Sequence, residues 1–132
     1  MAMSPTVSYL RLYADRVGES HFEAAFIETI ARNFAPPAPA CNVSGFVPAV
    51  RNGFLVVPAE WIGDLHPSPL RMWIFVLDGE MEFEATDGER HRVQAGDALL
   101  LEDTTGRGHR SRVIGDTAAK LAVVELEPAR EQ

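Results

Sequence analysis

The chain has 132 residues, of which 46% are hydrophobic, and its 12 basic and 19 acidic residues give a formal net charge of -7. This length and composition fit one domain over residues 1–132 with a single core. The negative charge argues against nucleic acid and anionic membranes as partners and favours a small-molecule ligand.

Cysteine usage and apolar patterning predict the cellular compartment. Cys41 is the only cysteine, so no intramolecular disulfide can form. The N-terminal residues lack the charged-then-apolar pattern of a secretion signal, and no apolar run approaches the ~20 residues of a membrane-spanning helix. We therefore expect a cytoplasmic protein.

Apolar and polar residues alternate with a period of two between closely spaced turn residues, which predicts an antiparallel all-β domain. The predicted strands are Ser8–Tyr13, Phe22–Ile30, Phe46–Val50, Gly53–Pro58, Met72–Leu77, Glu80–Ala85, Arg90–Val93, Ala98–Leu101, His109–Ile114 and Lys120–Leu126. The segment Phe22–Phe34 could instead contain a helical turn. The proline-rich segment Ala35–Ala40 predicts an extended surface connection, because proline disfavours central strands and helix interiors.

The dipeptide Asp78-Gly79 suits a two-residue hairpin turn, in which both residues need positive φ angles. Such a turn would pair the two strands on either side of it. The pairing would place Met72, Ile74 and Phe83 on one apolar face, and we expect that face to point into the core.

The following turn, Thr86-Asp87-Gly88, predicts a three-residue loop that ends on a glycine in the left-handed conformation. A loop of this length pairs Glu84 with Arg90 and Glu82 with Arg92, so that opposite charges face each other on the outer side of the sheet.

The opposite face of the strand Met72–Leu77 carries Trp73, Phe75 and Leu77. Monomeric proteins rarely expose an apolar patch of this kind. We expect either the N-terminal strands or a second subunit to cover it, and a homodimer is the preferred interpretation.

Two short motifs resemble those of the cupin superfamily: Val76-Leu77-Asp78-Gly79-Glu80 and Ala95-Gly96-Asp97. The resemblance covers roughly residues 53–126, and the loop Glu102–His109 is similar to a variant found in small bacterial cupins of unassigned function. It implies an antiparallel jelly-roll barrel, in which residues 1–45 supply extra N-terminal strands and the proline-rich connection.

The resemblance also implies where metal ligands would stand. The first histidine of the family pattern corresponds to His66, whereas Ser68 and Met72 occupy the positions of the second histidine and the glutamate. His109 lies two positions later than the histidine of the second motif. Two imidazoles suit a divalent transition metal such as Zn, Ni, Fe or Cu. Protein sites usually have at least three ligands, so a chain that holds no metal is the alternative. Asp64 would share a face with His66 in an extended strand and could replace the carboxylate, or it is a solvated loop acid.

The expected ligand pocket consists of His66, Met72, Ile74, Phe83, His109 and Ser111. Glu102 and Asp103 could act as a general base near its mouth, or they could simply form a turn. The leading hypothesis is a small-molecule-binding cupin, with or without a metal at the two histidines. One alternative is a metal-free cupin that senses a ligand or forms a structural dimer. The other is a metal-dependent lyase, isomerase or dioxygenase that acts on a small polar metabolite.

Overall fold

The computed structural model describes residues 5–129, and these form twelve β-strands and no helix. In chain order the strands are β1 Thr6–Ala14, β2 Ser20–Glu28, β3 Ile30–Arg32, β4 Cys41–Val43, β5 Arg51–Val57, β6 Ile62–His66, β7 Met72–Asp78, β8 Glu80–Ala85, β9 Arg90–Gln94, β10 Ala98–Glu102, β11 His109–Ile114 and β12 Ala119–Glu125. The all-β prediction is confirmed, and the segment Phe22–Phe34 contains no helical turn. Within the same residues, no helix has the length and apolar character needed to cross a membrane.

The described residues fold into two main sheets of a jelly-roll barrel, as predicted. One sheet has six strands in the order β2-β1-β10-β7-β12-β5, and the other has four in the order β6-β11-β8-β9. Neighbouring strands are antiparallel except β1 and β10, which run parallel. The strands β3 and β4 form a separate two-stranded hairpin.

The core lies between the inner faces of the two sheets. Along β7 and β8 every second side chain is buried, and Met72, Ile74 and Phe83 are at most 9% exposed. The prediction that these side chains face inward is therefore confirmed. Leu99 and Leu121 contribute from β10 and β12 and are almost completely buried.

The predicted hairpin at Asp78-Gly79 is wrong. The strands β7 and β8 lie in different sheets: β7 pairs with β10 and β12, and β8 pairs with β9 and β11. Gly79 is the corner at which the chain crosses from one sheet to the other, with φ of 78°. A Cβ at this position would lie 2.6 Å from the carbonyl oxygen of Ala118, so only glycine allows so close an approach.

The next turn has the predicted register. Glu84 is opposite Arg90 and Glu82 is opposite Arg92 in the β8–β9 pair, and Gly88 has φ of 94°. Both charge pairs form on the outer side of the sheet, with Nε–Oε2 distances of 3.1 Å for Arg90–Glu84 and 3.7 Å for Arg92–Glu82.

The N-terminal half differs from its prediction in several places. Residues 46–50 form no strand, whereas the strands Cys41–Val43 and Ile62–His66 were not predicted. The proline-rich segment Ala35–Ala40 forms the turn between β3 and β4, with Ala38 N–H donating to the Ala35 carbonyl, and is not an extended connection. The strands β1 and β2 extend the six-stranded sheet at one edge, so the prediction of extra N-terminal strands is confirmed.

The outer face of β7 is only partly covered. The ring of Tyr9 packs edge-on against Trp73 at a centroid distance of 4.9 Å. Phe75 remains 36% exposed and Leu77 remains 53% exposed. The N-terminal strands thus widen this sheet and leave part of its outer face exposed to solvent.

Candidate functional site

A cavity of about 370 Å³ lies between the two sheets at one end of the barrel. This volume is near the lower end of the ~300–1,000 Å³ of small-molecule sites. The cavity is lined by all six residues expected in the pocket, namely His66, Met72, Ile74, Phe83, His109 and Ser111. The fold therefore brings them together, while their role in ligand binding stays a prediction.

His109, at the start of β11, is the most constrained polar side chain of the cavity. It is 3% exposed, and its Nδ1 lies 2.5 Å from Oδ2 of Asp103, which is fully buried. A carboxylate can only accept a hydrogen bond from the ring, so Nδ1 carries the proton and donates it. The lone pair of Nε2 is then free for a ligand, and the carboxylate fixes the orientation of the ring.

The position of Asp103 follows from the alternation of β10. Leu99 and Leu101 point into the core, and Asp103 continues the same face two residues further on. This signal could have identified Asp103 as buried from the sequence, where the acidic pair 102–103 was interpreted as a base at the mouth or as a turn. Its Oδ1 has no hydrogen-bond partner within residues 5–129, so His109 provides the hydrogen bond observed for this carboxylate.

Glu102 points to the other side of β10 and has a different role. Its carboxylate accepts hydrogen bonds from Arg11 and from Arg71, the latter at 2.6 Å. Partial burial acts to raise the pKa of Glu102, but the two guanidinium groups outweigh it and hold the pKa below its usual value. Glu102 is therefore a structural ion-pair partner that ties β10 to β1 and to the start of β7.

His66 reaches the cavity because of an irregularity in β6. His66 pairs with His109, and Gly63 pairs with Ser111. An advance of three residues along β6 therefore matches an advance of two residues along β11. This bulge turns the end of β6 inward. The rings of His66 and His109 lie 5.2 Å apart between centroids. The Nδ1 of His66 donates to the Asp64 carbonyl at 2.6 Å, which leaves its Nε2 as an acceptor as well.

Gly108 makes the close approach of the two histidines possible. Its φ is 85°, and a Cβ there would overlap the carbonyl group of His66 and the nitrogen of Pro67. Only glycine lets the chain before His109 pass so close to the end of β6. Ser68 strengthens the same junction, because its N–H donates to the Asp103 carbonyl at 2.9 Å.

Asp64 does not share the cavity with His66. The bulge shifts the alternation between them, and the Asp64 side chain lies on the outer face of β6 in a depression shared with Glu82 and Arg112. The structure therefore does not bring Asp64 together with the two histidines, because β6 is not the regular strand that the expectation assumed.

The comparison with protein families decides the classification. The family model described as the cupin domain matches residues 54–125, more than half of the chain. The chain belongs to the cupin family. The match begins within β5 and ends within β12, so it spans every strand that lines the cavity.

Two solved structures are similar to this chain at low sequence identity. The cupin domain of Cnp3 from Schizosaccharomyces pombe is 15% identical, with a TM-score of 0.46, over 81% of this chain and 78% of that one. Protein NMB1881 from Neisseria meningitidis is 14% identical, with a TM-score of 0.42, over 58% of this chain and 72% of that one. Comparison with curated proteins gives no match. At these identities and TM-scores, neither structure informs the function of this cupin.

The cupin family implies a metal ion, and the residues of the cavity test whether one fits. His66 and His109 offer two imidazole nitrogens, and Met72 offers a thioether that packs in the core. Within the described part of the chain, no group of three His, Cys, Asp or Glu residues is arranged to hold a metal ion. Because transition-metal sites in proteins usually have three or more such ligands, this donor set does not fit the ion that the family implies.

Proposed function

We propose that this cupin binds a small, uncharged and largely apolar molecule that carries a hydrogen-bond donor such as a hydroxyl group. The observation that supports the proposal most directly is the pair of histidines at one end of an otherwise mostly apolar cavity. In both rings Nδ1–H donates a hydrogen bond to an oxygen atom, so Nε2 of each ring can accept a hydrogen bond from a ligand.

The lining explains why the ligand should be uncharged. No Asp, Glu, Lys or Arg side chain within residues 5–129 lines the cavity, and its polar side-chain groups are two histidines, the hydroxyls of Ser68 and Ser111 and the indole N–H of Trp61. A carboxylate or ammonium ion would lose its hydration there without gaining a partner of opposite charge. A hydroxyl group loses less, because it can donate a hydrogen bond to Nε2 of His66 or His109.

Phenol, toluene and benzoate test this preference, because they share one ring and differ in the polar group. Binding can be followed by the NMR shifts of the methyl groups of Met72 and Ile74, which line the cavity. We expect phenol to bind more tightly than toluene, and benzoate to bind most weakly. One neutral hydrogen bond contributes ~0.5–1.5 kcal/mol, so replacing His66 with Ala should weaken phenol binding about two- to tenfold.

His91→Ala is the matched control, because His91 is partly exposed, bonds to Glu89 and does not line the cavity. This variant should bind phenol like the original protein, and toluene should bind equally to all three proteins. Benzoate binding as tight as phenol binding, or phenol affinity that does not change in His66→Ala, would contradict the proposal.

Metal content tests the metal-dependent alternatives from the sequence. The protein would be purified without a polyhistidine tag from metal-replete cells, alongside the variant His66→Ala/His109→Ala. We expect substoichiometric Zn, Ni, Fe and Cu in both. Stoichiometric metal that is present in the original protein and lost in the double variant would favour a metal-dependent cupin instead.

A further inference from the structure

We propose that His21, Asp15 and Asp87 form a latch that closes when the ring of His21 is protonated and opens when the ring loses that proton. The closed latch joins the turn between β1 and β2 to the turn between β8 and β9, and so holds the loop 103–108 that leads to His109. Through this loop, pH would regulate the cavity whichever molecule the cavity binds, so the latch does not depend on the proposed function.

The ring of His21 lies between two carboxylates that come from different turns. Its Nε2 is 2.7 Å from Oδ2 of Asp15, and its Nδ1 is 2.8 Å from Oδ2 of Asp87. An ionised carboxylate only accepts hydrogen bonds, and only the protonated ring carries a hydrogen on both nitrogens. Both bonds can therefore exist together only while His21 is charged. The three side chains are 29–34% exposed, so water can exchange the proton.

The other ionisable groups around His21 have partners of their own or do not bond to the ring. Tyr13 on β1 packs against the ring at a centroid distance of 5.7 Å. Glu19, in the β1–β2 turn, pairs with Arg107 of the loop 103–108 at 2.9 Å. Glu89, in the β8–β9 turn, bonds to β9. Within residues 5–129 the two aspartates are thus the hydrogen-bond partners of the ring of His21.

The direction of the pH dependence follows from these bonds. Hydrogen bonds to Asp15 and then to Asp87 raise the pKa of His21. The stabilisation by the latch is therefore fully present below the ordinary pKa of ~6.5 and is lost as the pH rises through the higher folded value. The pKa of Asp15 is lowered, mainly by the bond to His21, and that of Asp87 is lowered, mainly by the N–H of Glu89. Both acids stay ionised in this range, so His21 is the member of the latch that titrates.

The β1–β2 turn is in direct contact with the loop 103–108. The N–H of Arg107 donates to the carbonyl of Gly18 at 3.0 Å. A Cβ at Gly106 would lie 2.6 Å from the same carbonyl oxygen, so the two backbones touch. The fully buried hydroxyl of Ser20, beside His21, donates to the carbonyl of Gly108 at 2.7 Å. A latch that fixes the turn therefore also fixes the loop.

Both ends of the loop 103–108 reach the cavity. Asp103, at its start, accepts the hydrogen bond from the ring of His109, which follows its end. The N–H of Ser68 donates to the carbonyl of Asp103 at 2.9 Å, and Ser68 lines the cavity. Loops open locally more readily than the strands of a core. Opening of this loop would loosen His109 and the adjacent wall of the cavity while the sheets stay folded.

Hydrogen exchange of the Arg107 amide tests the latch, because this N–H bonds across the contact to Gly18. NMR gives its exchange rate, divided by the intrinsic rate at each pH, from about pH 5.5 to about pH 8.5, and the ring shifts of His21 give its pKa in the same samples. We expect protection to be constant below pH ~6.5 and to fall until the pH passes the measured pKa. The fall should be about tenfold for each unit by which that pKa exceeds ~6.5. The amide of Gly96, bonded to the Val76 carbonyl in a distant turn, should keep its protection.

Variants separate the latch from a purely structural role. Asp87→Asn keeps the oxygen that accepts the N–H of Glu89 and removes the charge, so the pKa of His21 and the fall in protection should decrease together. His21→Ala should have the low protection of the open latch at every pH. The control Asp116→Asn, at an exposed surface acid, should behave like the original protein.

The amide of Ser68 reports whether the latch reaches the cavity, and its protection should fall over the same pH range as that of Arg107. Three results would overturn the proposal. One is Arg107 protection that does not change with pH, and another is the same pH profile in His21→Ala as in the original protein. The third is a response of Arg107 that Ser68 does not share.

Discussion

The buried pair of Asp103 and His109 allows the sharpest prediction, in the form of a double-mutant cycle. His109→Ala leaves Asp103, which is fully buried, with neither carboxylate oxygen bonded within residues 5–129. Leaving a buried polar group without its hydrogen-bond partner costs about 1–3 kcal/mol, and more when the group is charged, as a carboxylate is. Asp103→Ala leaves the buried Nδ1–H of His109 without its acceptor, at a cost of about 1–3 kcal/mol.

The double variant removes both polar groups, so neither remains buried without a partner. If the losses of the two single variants were additive, their sum, subtracted from the value for the original protein, would give the free energy of unfolding of the double variant. We expect the measured value to be higher than this by about 2–3 kcal/mol, within the range found for residues in direct contact. Urea denaturation with each variant gives the four free energies needed. In thermal unfolding, a chain of this length should lose ~3–5 °C of melting temperature per kcal/mol.

The control cycle combines His109→Ala with Asp116→Ala, because Asp116 is an exposed residue of a surface turn. These two changes should be additive within ~0.5 kcal/mol. If Asp103→Ala and His109→Ala are also additive within that margin, the carboxylate does not hold His109 in the folded protein. The orientation of Nε2 toward the cavity would then need another cause.

Two further predictions concern stability. Gly108→Ala should lower the free energy of unfolding far more than Gly88→Ala. Both glycines have positive φ, which costs a non-glycine residue ~1–2 kcal/mol. Only the Cβ added at residue 108 would also overlap neighbouring backbone. Equal losses in urea denaturation would refute this reasoning. Hydrogen bonds to Asp15 and then Asp87 raise the pKa of His21, and this stabilisation is fully present below the ordinary pKa of ~6.5 and lost as pH rises through the higher folded value. His21→Ala should therefore lower the free energy of unfolding more near pH 5.5 than near pH 9, and an equal loss at both would contradict it.

The sequence predicted which side chains are buried better than which strands pair. Met72, Ile74 and Phe83 face the core because alternation is a local property of an extended chain. The same alternation holds whether β7 and β8 are neighbours in one sheet or face each other across the core. The wrong hairpin at Asp78-Gly79 therefore left the inward face correct.

The register of β8 and β9 was predictable because both strands and their turn are contiguous. The loop of three residues ending at Gly88, together with the opposite charges of Glu82 and Arg92, allows one pairing that places every charge outside. The order of strands in the two sheets depends instead on contacts between distant segments, such as the parallel pairing of β1 with β10.

Local alternation by itself determined the all-β class and the inner face of the barrel, and the motifs around Gly79 and Gly96 indicated the cupin family. Only the tertiary structure decided the site. The bulge in β6 left the Asp64 side chain on the outer face and let the exposed His66 line the cavity, and the end of β10 brought Asp103 against His109. These outcomes depend on the pairing of β6 with β11 and on the contact between the residue after β10 and β11 of the other sheet. A pattern of period two along one strand carries no information about its neighbours.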